Sequence, residues 1–167
     1  GREWDMARKN GGLHLLPPFS NMTSGMYRGR LEALYGITDF IRCSDADYVI
    51  MSDCDVVTSL DYNKLYDAHI KSGADITAVY AKSNLDLDAA AHTNVFGINN
   101  EGRINNVLID PEISGECNIS LNTYIISKPL LMSMITDAAA KGIYSFAKSI
   151  LQAQCGRYKI MAYKHEG

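Results

Sequence analysis

The order of apolar runs in the first half of this chain narrows its fold to one broad class. The run 48–52 and the run 76–80 both read as buried strands. Between them lies a stretch of helical periodicity, not a hairpin turn, so the two strands are joined by a crossover. The stretch 29–43 before them places Leu31, Leu34, Tyr35, Thr38 and Ile41 at helical spacing, and 13–16, stopped by Pro17-Pro18, reads as a short strand. The order β-α-β-α-β with short connections predicts an α/β fold, a mainly parallel mixed sheet with helices on both faces.

The helix of the crossover carries its own punctuation. Asp61 is its expected N-cap, Leu65 and His69 share a face, and Gly73 is a natural stop. The second half changes character. Residues 94–110 predict two short strands around the turn Asn99-Asn100-Glu101-Gly102, and 119–127 predicts another strand. Lys128-Pro129 opens a helix through Leu130, Leu131, Met134, Ile135 and Ala138, with Gly142 just beyond it. A short helix is expected at 145–153 and a last strand at 158–163.

At 167 residues the chain has room for a single domain that buries a real core. Its 16 basic and 19 acidic residues give a net charge of −3, and no dense basic cluster occurs, which argues against nucleic-acid binding. Cys43, Cys54, Cys117 and Cys155 form no C-x-x-C pair and no zinc spacing. Free thiols and a cytoplasmic location are the expectation. The sequons at Asn21 and Asn118 read as chance, and no apolar run reaches the ~20 residues of a membrane span.

The chemistry-bearing stretch is "YVIMSDCDVV", residues 48–57, where a buried strand ends in Asp53 and Asp55. The carboxyl end of such a strand is where open α/β sheets hold ligands. If the chain stays extended, residues two apart point the same way and both carboxylates could face one Mg²⁺; if a bulge intervenes, only one would. Either aspartate could instead cap the following turn. His14, His69, His92 and His165 read as surface or satisfied core residues. The chain has no G-x-S-x-G elbow, no Walker sequence and no G-x-G-x-x-G.

Several stretches, taken in order, carry a resemblance. "REWDMARKNGGLHLLPP", "MYRGRLEALYGITDFI", "DADYVIMSDCDVVTSLDYNKLYDAHIKSGADITA", "FGINNEGRI" and "SFAKSILQ" together resemble the bacterial glucose-1-phosphate adenylyltransferase (ADP-glucose pyrophosphorylase) family. The resemblance implies a Rossmann-like, GT-A-like nucleotidyltransferase core spanning 1–167 as one domain. A first strand with its glycine-rich loop would fall before Gly1, and a C-terminal β-helix after Gly167. It implies an oligomeric cytoplasmic enzyme of glycogen biosynthesis that joins ATP and glucose 1-phosphate into ADP-glucose and pyrophosphate. Mg²⁺ is the cofactor implied, although the residues by themselves fix none.

Departures from the family pattern modify that implication. Asp55 aligns with the catalytic, metal-binding aspartate of S-G-D-H, but Cys54 and Val56 replace its neighbours, and Asp53 is the other metal candidate. The nucleotide-contacting G-T-A becomes Gly29-Arg30-Leu31. "LIDPEISGE" stands where the sugar-phosphate lysine should be, and the second metal aspartate aligns with Ser149. In "SLNTY" Ser120 is kept and Asn122 replaces a glycine. Gly29, Arg30, Ser120 and Asn122 are the nucleotide- or sugar-binding candidates, with Asp55 a catalytic remnant. The pattern resembles the family's non-catalytic, regulatory second subunit in bacteria, whose partner is the catalytic subunit. The alternative is an active sugar nucleotidyltransferase or GT-A-like glycosyltransferase using the Asp53/Asp55 pair.

Overall fold

In the computed structural model, which describes residues 12–17, 27–90 and 93–166, the first helical stretch is two helices, α1 (Arg30–Gly36) and α2 (Thr38–Cys43). There follow β1 (Tyr48–Met51), α3 (Tyr62–Ser72), β2 (Ile76–Leu85) and the single turn α4 (Leu87–Ala90). The second half holds β3 (Asn94–Ile98), β4 (Ile104–Ile109), β5 (Gly115–Ser127), α5 (Lys128–Lys141), a π-helical turn (Ala147–Gln152) and β6 (Ile160–Lys164).

The sheet runs β4-β3-β5-β2-β6, with β1 also on β5. Among the described residues only β2 with β6 is a parallel pair; β1, β2 and β3 all pair β5 antiparallel, and β3 pairs β4 antiparallel. The expected mainly parallel sheet is thus corrected to a mixed, mostly antiparallel one. The reason lies in β5. Strands β1 and β2 do run the same way, as a crossover through α3 requires, but β5 inserts between them in the opposite direction. Ile126 of β5 faces Val49 on one side and Ile76 on the other. Crossover chemistry is local in sequence, whereas this insertion comes from 50 residues downstream and leaves no local signal.

Two further expectations change. Residues 13–16 form no strand: Leu13, Leu15 and Leu16 are exposed, and His14 lies against the Phe40 ring at 5.2 Å. A short apolar run becomes a strand only beside a pairing partner. The helix expected over 29–43 breaks at Ile37, where the Thr38 hydroxyl donates to the Tyr35 carbonyl at 2.7 Å. Gly36 followed by two β-branched residues is the local cause. The segments 2–11 and 20–25 and His92 lie outside the described residues.

Alternation on β5 distributes the core. Tyr124 and Ile126 point to the face covered by α1, α2 and α5, with Leu31, Ile41, Leu131, Ile135 and Phe146. Ile125 points to the other face, where Leu65 of α3 and Val79 complete a smaller cluster. Among the described residues all four cysteines are free and no helix is long and apolar enough to cross a membrane.

Candidate functional site

On one edge of β5, β1 stops at Met51, opposite Tyr124, and β3 takes over with Val95 opposite Ile119. Among the described residues no strand pairs the edge between them, and a crevice forms at the carboxyl end of β1. Its volume is about 220 Å³, and Arg28, Gly29, Arg30, Asp53, Asn94, Asn122, Tyr124, Ser145, Phe146 and Ala147 line it. A larger groove of about 420 Å³ lies between the start of α3 and the end of β6. There Lys64 and Lys164 are already paired with Asp61 and Glu166. The smaller crevice gathers more unlike chemistry at a strand end, so we place the site there.

One wall is built by a helix stop. Gly142 ends α5 in the left-handed conformation (φ 64°), and the Ile143 amide donates back to the Ala138 carbonyl at 2.9 Å. The chain reverses and delivers Tyr144, whose carbonyl accepts the Leu31 amide at 3.0 Å. Gly29 meets that carbonyl so closely that a Cβ there would overlap it. Arg28 lies over the Tyr144 ring at 3.7 Å and pairs with Glu32 at 2.8 Å. The pairing holds the Glu32 carboxyl below, and the Arg28 guanidinium above, its ordinary range.

The opposite wall is β5 itself. Asn122 adopts a left-handed backbone (φ 50°), which asparagine tolerates better than most residues. Such a conformation is also open to glycine, the residue that the resembled family's pattern has here. The Tyr124 hydroxyl donates to Asn122 Oδ1 at 3.1 Å, and the Asn122 amide donates to Ser120 Oγ at 3.1 Å. Longer approaches from Ser120 Oγ (3.4 Å) and Asn94 Nδ2 (3.5 Å) converge on the same oxygen. Burial pushes the Tyr124 hydroxyl up from its ordinary pKa, so it stays a protonated donor.

Between the walls, Arg30 reaches Asp53 in a direct ion pair. The Arg30 guanidinium also sits 5.2 Å from the Tyr124 ring centre and 5.9 Å from that of Phe146. Ser52 Oγ, 2.9 Å from Thr123 Oγ1, guides the chain out of β1 along β5 and aims Asp53 at this point.

Of the sequence candidates, the fold brings together Gly29, Arg30, Asp53 and Asn122 at the crevice, with Ser120 bonded beneath them. Asp55 goes elsewhere. The strand has ended by Met51, and Asp55 lies exposed in the turn at Cys54–Asp55, so strand alternation does not carry the two aspartates to one face. Ser149 lies inside the π-helical turn. Arg28, Asn94 and Tyr124 were not anticipated. The one sequence signal for the ion pair was a long cationic side chain beside Gly29 together with a carboxylate at the strand end.

These residues do not fit the Mg²⁺ that the resemblance implies. Mg²⁺ takes one or two free carboxylate oxygens from protein, in near-octahedral geometry. Here Asp53 is held by Arg30, Asp55 is turned out, and a serine stands in the second aspartate's place. Among the described residues no three His, Cys, Asp or Glu side chains gather as a metal cluster.

Fold and site together define a mixed α/β domain with a polar, arginine-lined crevice at a strand end. No protein-family model matches the chain. A glucose-1-phosphate adenylyltransferase from Pseudothermotoga lettingae is 40% identical over 77 residues, 46% of this chain and 18% of that protein. One from Thermotoga neapolitana is 31% identical over 82% of this chain and 32% of its own length. One from Clostridium perfringens strain 13 is 28% identical over the whole chain and 43% of its own length. The chain thus spans less than half of each of these relatives. The crystal structure of HddC from Yersinia pseudotuberculosis superposes with a TM-score of 0.62 at 17% identity, over 84% of this chain and 55% of that one. The last likeness concerns the fold; the sequence likenesses support the glucose-1-phosphate adenylyltransferase family.

Proposed function

We propose that this chain is the nucleotidyltransferase core of a regulatory or catalytically impaired subunit of glucose-1-phosphate adenylyltransferase, acting in bacterial glycogen biosynthesis. Its partner is a catalytic subunit of the same family, with which it forms a hetero-oligomer that it tunes. The observation that carries the reading is the Arg30–Asp53 ion pair. The carboxylate that remains in the crevice is neutralised by the protein's own cation, and Asp55 faces solvent. A site that loses its metal carboxylates should lose most of its electrostatic stabilisation of phosphoryl transfer, several kcal/mol on general grounds.

The competing reading is an active nucleotidyltransferase or GT-A-like glycosyltransferase using Asp53 and Asp55. Co-expression with a catalytic subunit, followed by co-purification and kinetics, separates the two. A subunit of the proposed kind assembles, shifts the partner's saturation curve, and alone gives no ADP-glucose, whether or not Asp55 is changed to Ala. Turnover by this protein alone, abolished by Asp55→Ala, would overturn the proposal in favour of the active transferase.

A further inference from the structure

We infer that the Arg30 guanidinium is the crevice's own cation, held on Asp53 in the ligand-free state and passed to a phosphoryl or pyrophosphoryl group when one enters. Anion binding here then needs no divalent metal, and Asp53 sets its threshold. The inference rests on the reading above that the crevice has lost its metal function.

Four observations converge on it. First, Arg30 is positioned: its side chain is only 23% exposed and its guanidinium lies near the rings of Tyr124 and Phe146. A planar cation placed beside ring faces is pre-organised for an oxyanion. Second, the bond to Asp53 uses Nη2, one nitrogen of a five-donor fork, which leaves the group capacity for another acceptor. Carboxylate and phosphate are interchangeable partners for that fork. Third, Arg28 at the crevice mouth is committed to Glu32, so the change of partner falls to Arg30. Fourth, at about 220 Å³ the crevice lies below the roughly 300–1,000 Å³ of ordinary small-molecule sites. With Arg30 across it, the space suits a phosphoryl-sized group.

Charge explains the threshold. Arg30 and Asp53 sum to zero, so an anion entering beside Asp53 meets a carboxylate as well as a guanidinium. It gains a counter-charge only if Arg30 changes partner. Removing the arginine and removing the carboxylate must therefore act in opposite directions, which a merely structural ion pair would not do.

The test is calorimetric titration of the protein with inorganic pyrophosphate in EDTA. Wild type should bind in EDTA, and Mn²⁺ added in place of EDTA, which itself complexes pyrophosphate, should not strengthen binding. Arg30→Gln should weaken binding by about tenfold or more, and Asp53→Asn should strengthen it by roughly threefold or more. Circular dichroism spectra of both variants establish that they fold. Binding that appears only with Mn²⁺, or losses of the same sign in both variants, would overturn the inference. So would silence from wild type and Asp53→Asn alike; that result leaves the subunit reading standing, because its own test is assembly with a catalytic partner.

Discussion

His69 of α3 and Thr77 of β2 face each other across the smaller core cluster, Nδ1 to Oγ1 at 2.8 Å, with 3% and 2% of their surfaces exposed. Burial pushes the imidazole pKa below its ordinary 6.5, and the Asp75 carboxylate only partly opposes this. The folded state therefore resists protonation where the unfolded state accepts it. Stability from this site is complete above about pH 6.5 and declines as pH falls below it, because the unfolded chain then binds the extra proton. Urea midpoints should drop between about pH 7.5 and pH 5.5. His69→Gln should cost about 1–2 kcal/mol at neutral pH and flatten that drop. An equal drop in the variant would assign the pH dependence to other groups.

Gly29 is required by contact rather than by backbone angle, since its φ of 172° is ordinary extended geometry. A Cβ there would strike the Tyr144 carbonyl, which is fixed by its bond from the Leu31 amide. Backbone cannot yield as a side-chain tip can. Gly29→Ala should cost about 1–3 kcal/mol through displacement of α1 from α5. A thermal midpoint equal to wild type would show that the two segments separate without cost.

Asn122 offers a test of how a glycine position was replaced. Its φ of 50° is cheap for glycine, tolerable for asparagine and strained for alanine. Its side chain also accepts the bond from buried Tyr124. Asn122→Gly should lose only the hydrogen bonding, about 1 kcal/mol. Asn122→Ala loses the same bond and adds strain, so it should cost about 1–2 kcal/mol more. Chemical denaturation of the two variants ranks them; alanine as stable as glycine would refute the strain argument.

What the sequence made legible follows from the range of each interaction. Asp61, Gly73 and Gly142 act on neighbours within a turn, and each stands at the helix end expected of it. The hairpin of β3 and β4 is similarly local. The placement of β5 between β1 and β2 joins residues more than 70 apart, and no periodicity encodes it. The same holds at the site. Gly29 was visible as a retained glycine of the family pattern, Arg30 and Asn122 as departures from it, and Asp53 as a carboxylate at a strand end, but their meeting depends on β5. The outward turn of Asp55 was not legible, because it hangs on where β1 stops pairing, one residue before Ser52.

The helix α3 separates local from tertiary contributions on one element. Asp61 caps it, accepting the amides of Asn63 at 3.0 Å and Lys64 at 3.3 Å, at a site open to solvent. Leu65, one turn on, is fully buried against Val79 and Ile125. Removing the cap leaves two amides to water, so Asp61→Ala should cost about 1 kcal/mol. Removing the leucine leaves a cavity between α3 and the sheet, so Leu65→Ala should cost about 2–5 kcal/mol. The two side chains share no partner, although they lie a turn apart, and the double variant should show nearly the sum of the two losses. Urea unfolding of the three proteins checks this. A cap loss as large as the leucine loss would mean that α3 is held by its own helical stability, with its packing on β5 secondary. The direction the packing supports is the reverse: α3 forms because Leu65 has a buried place to go, and Asp61 sets where it starts.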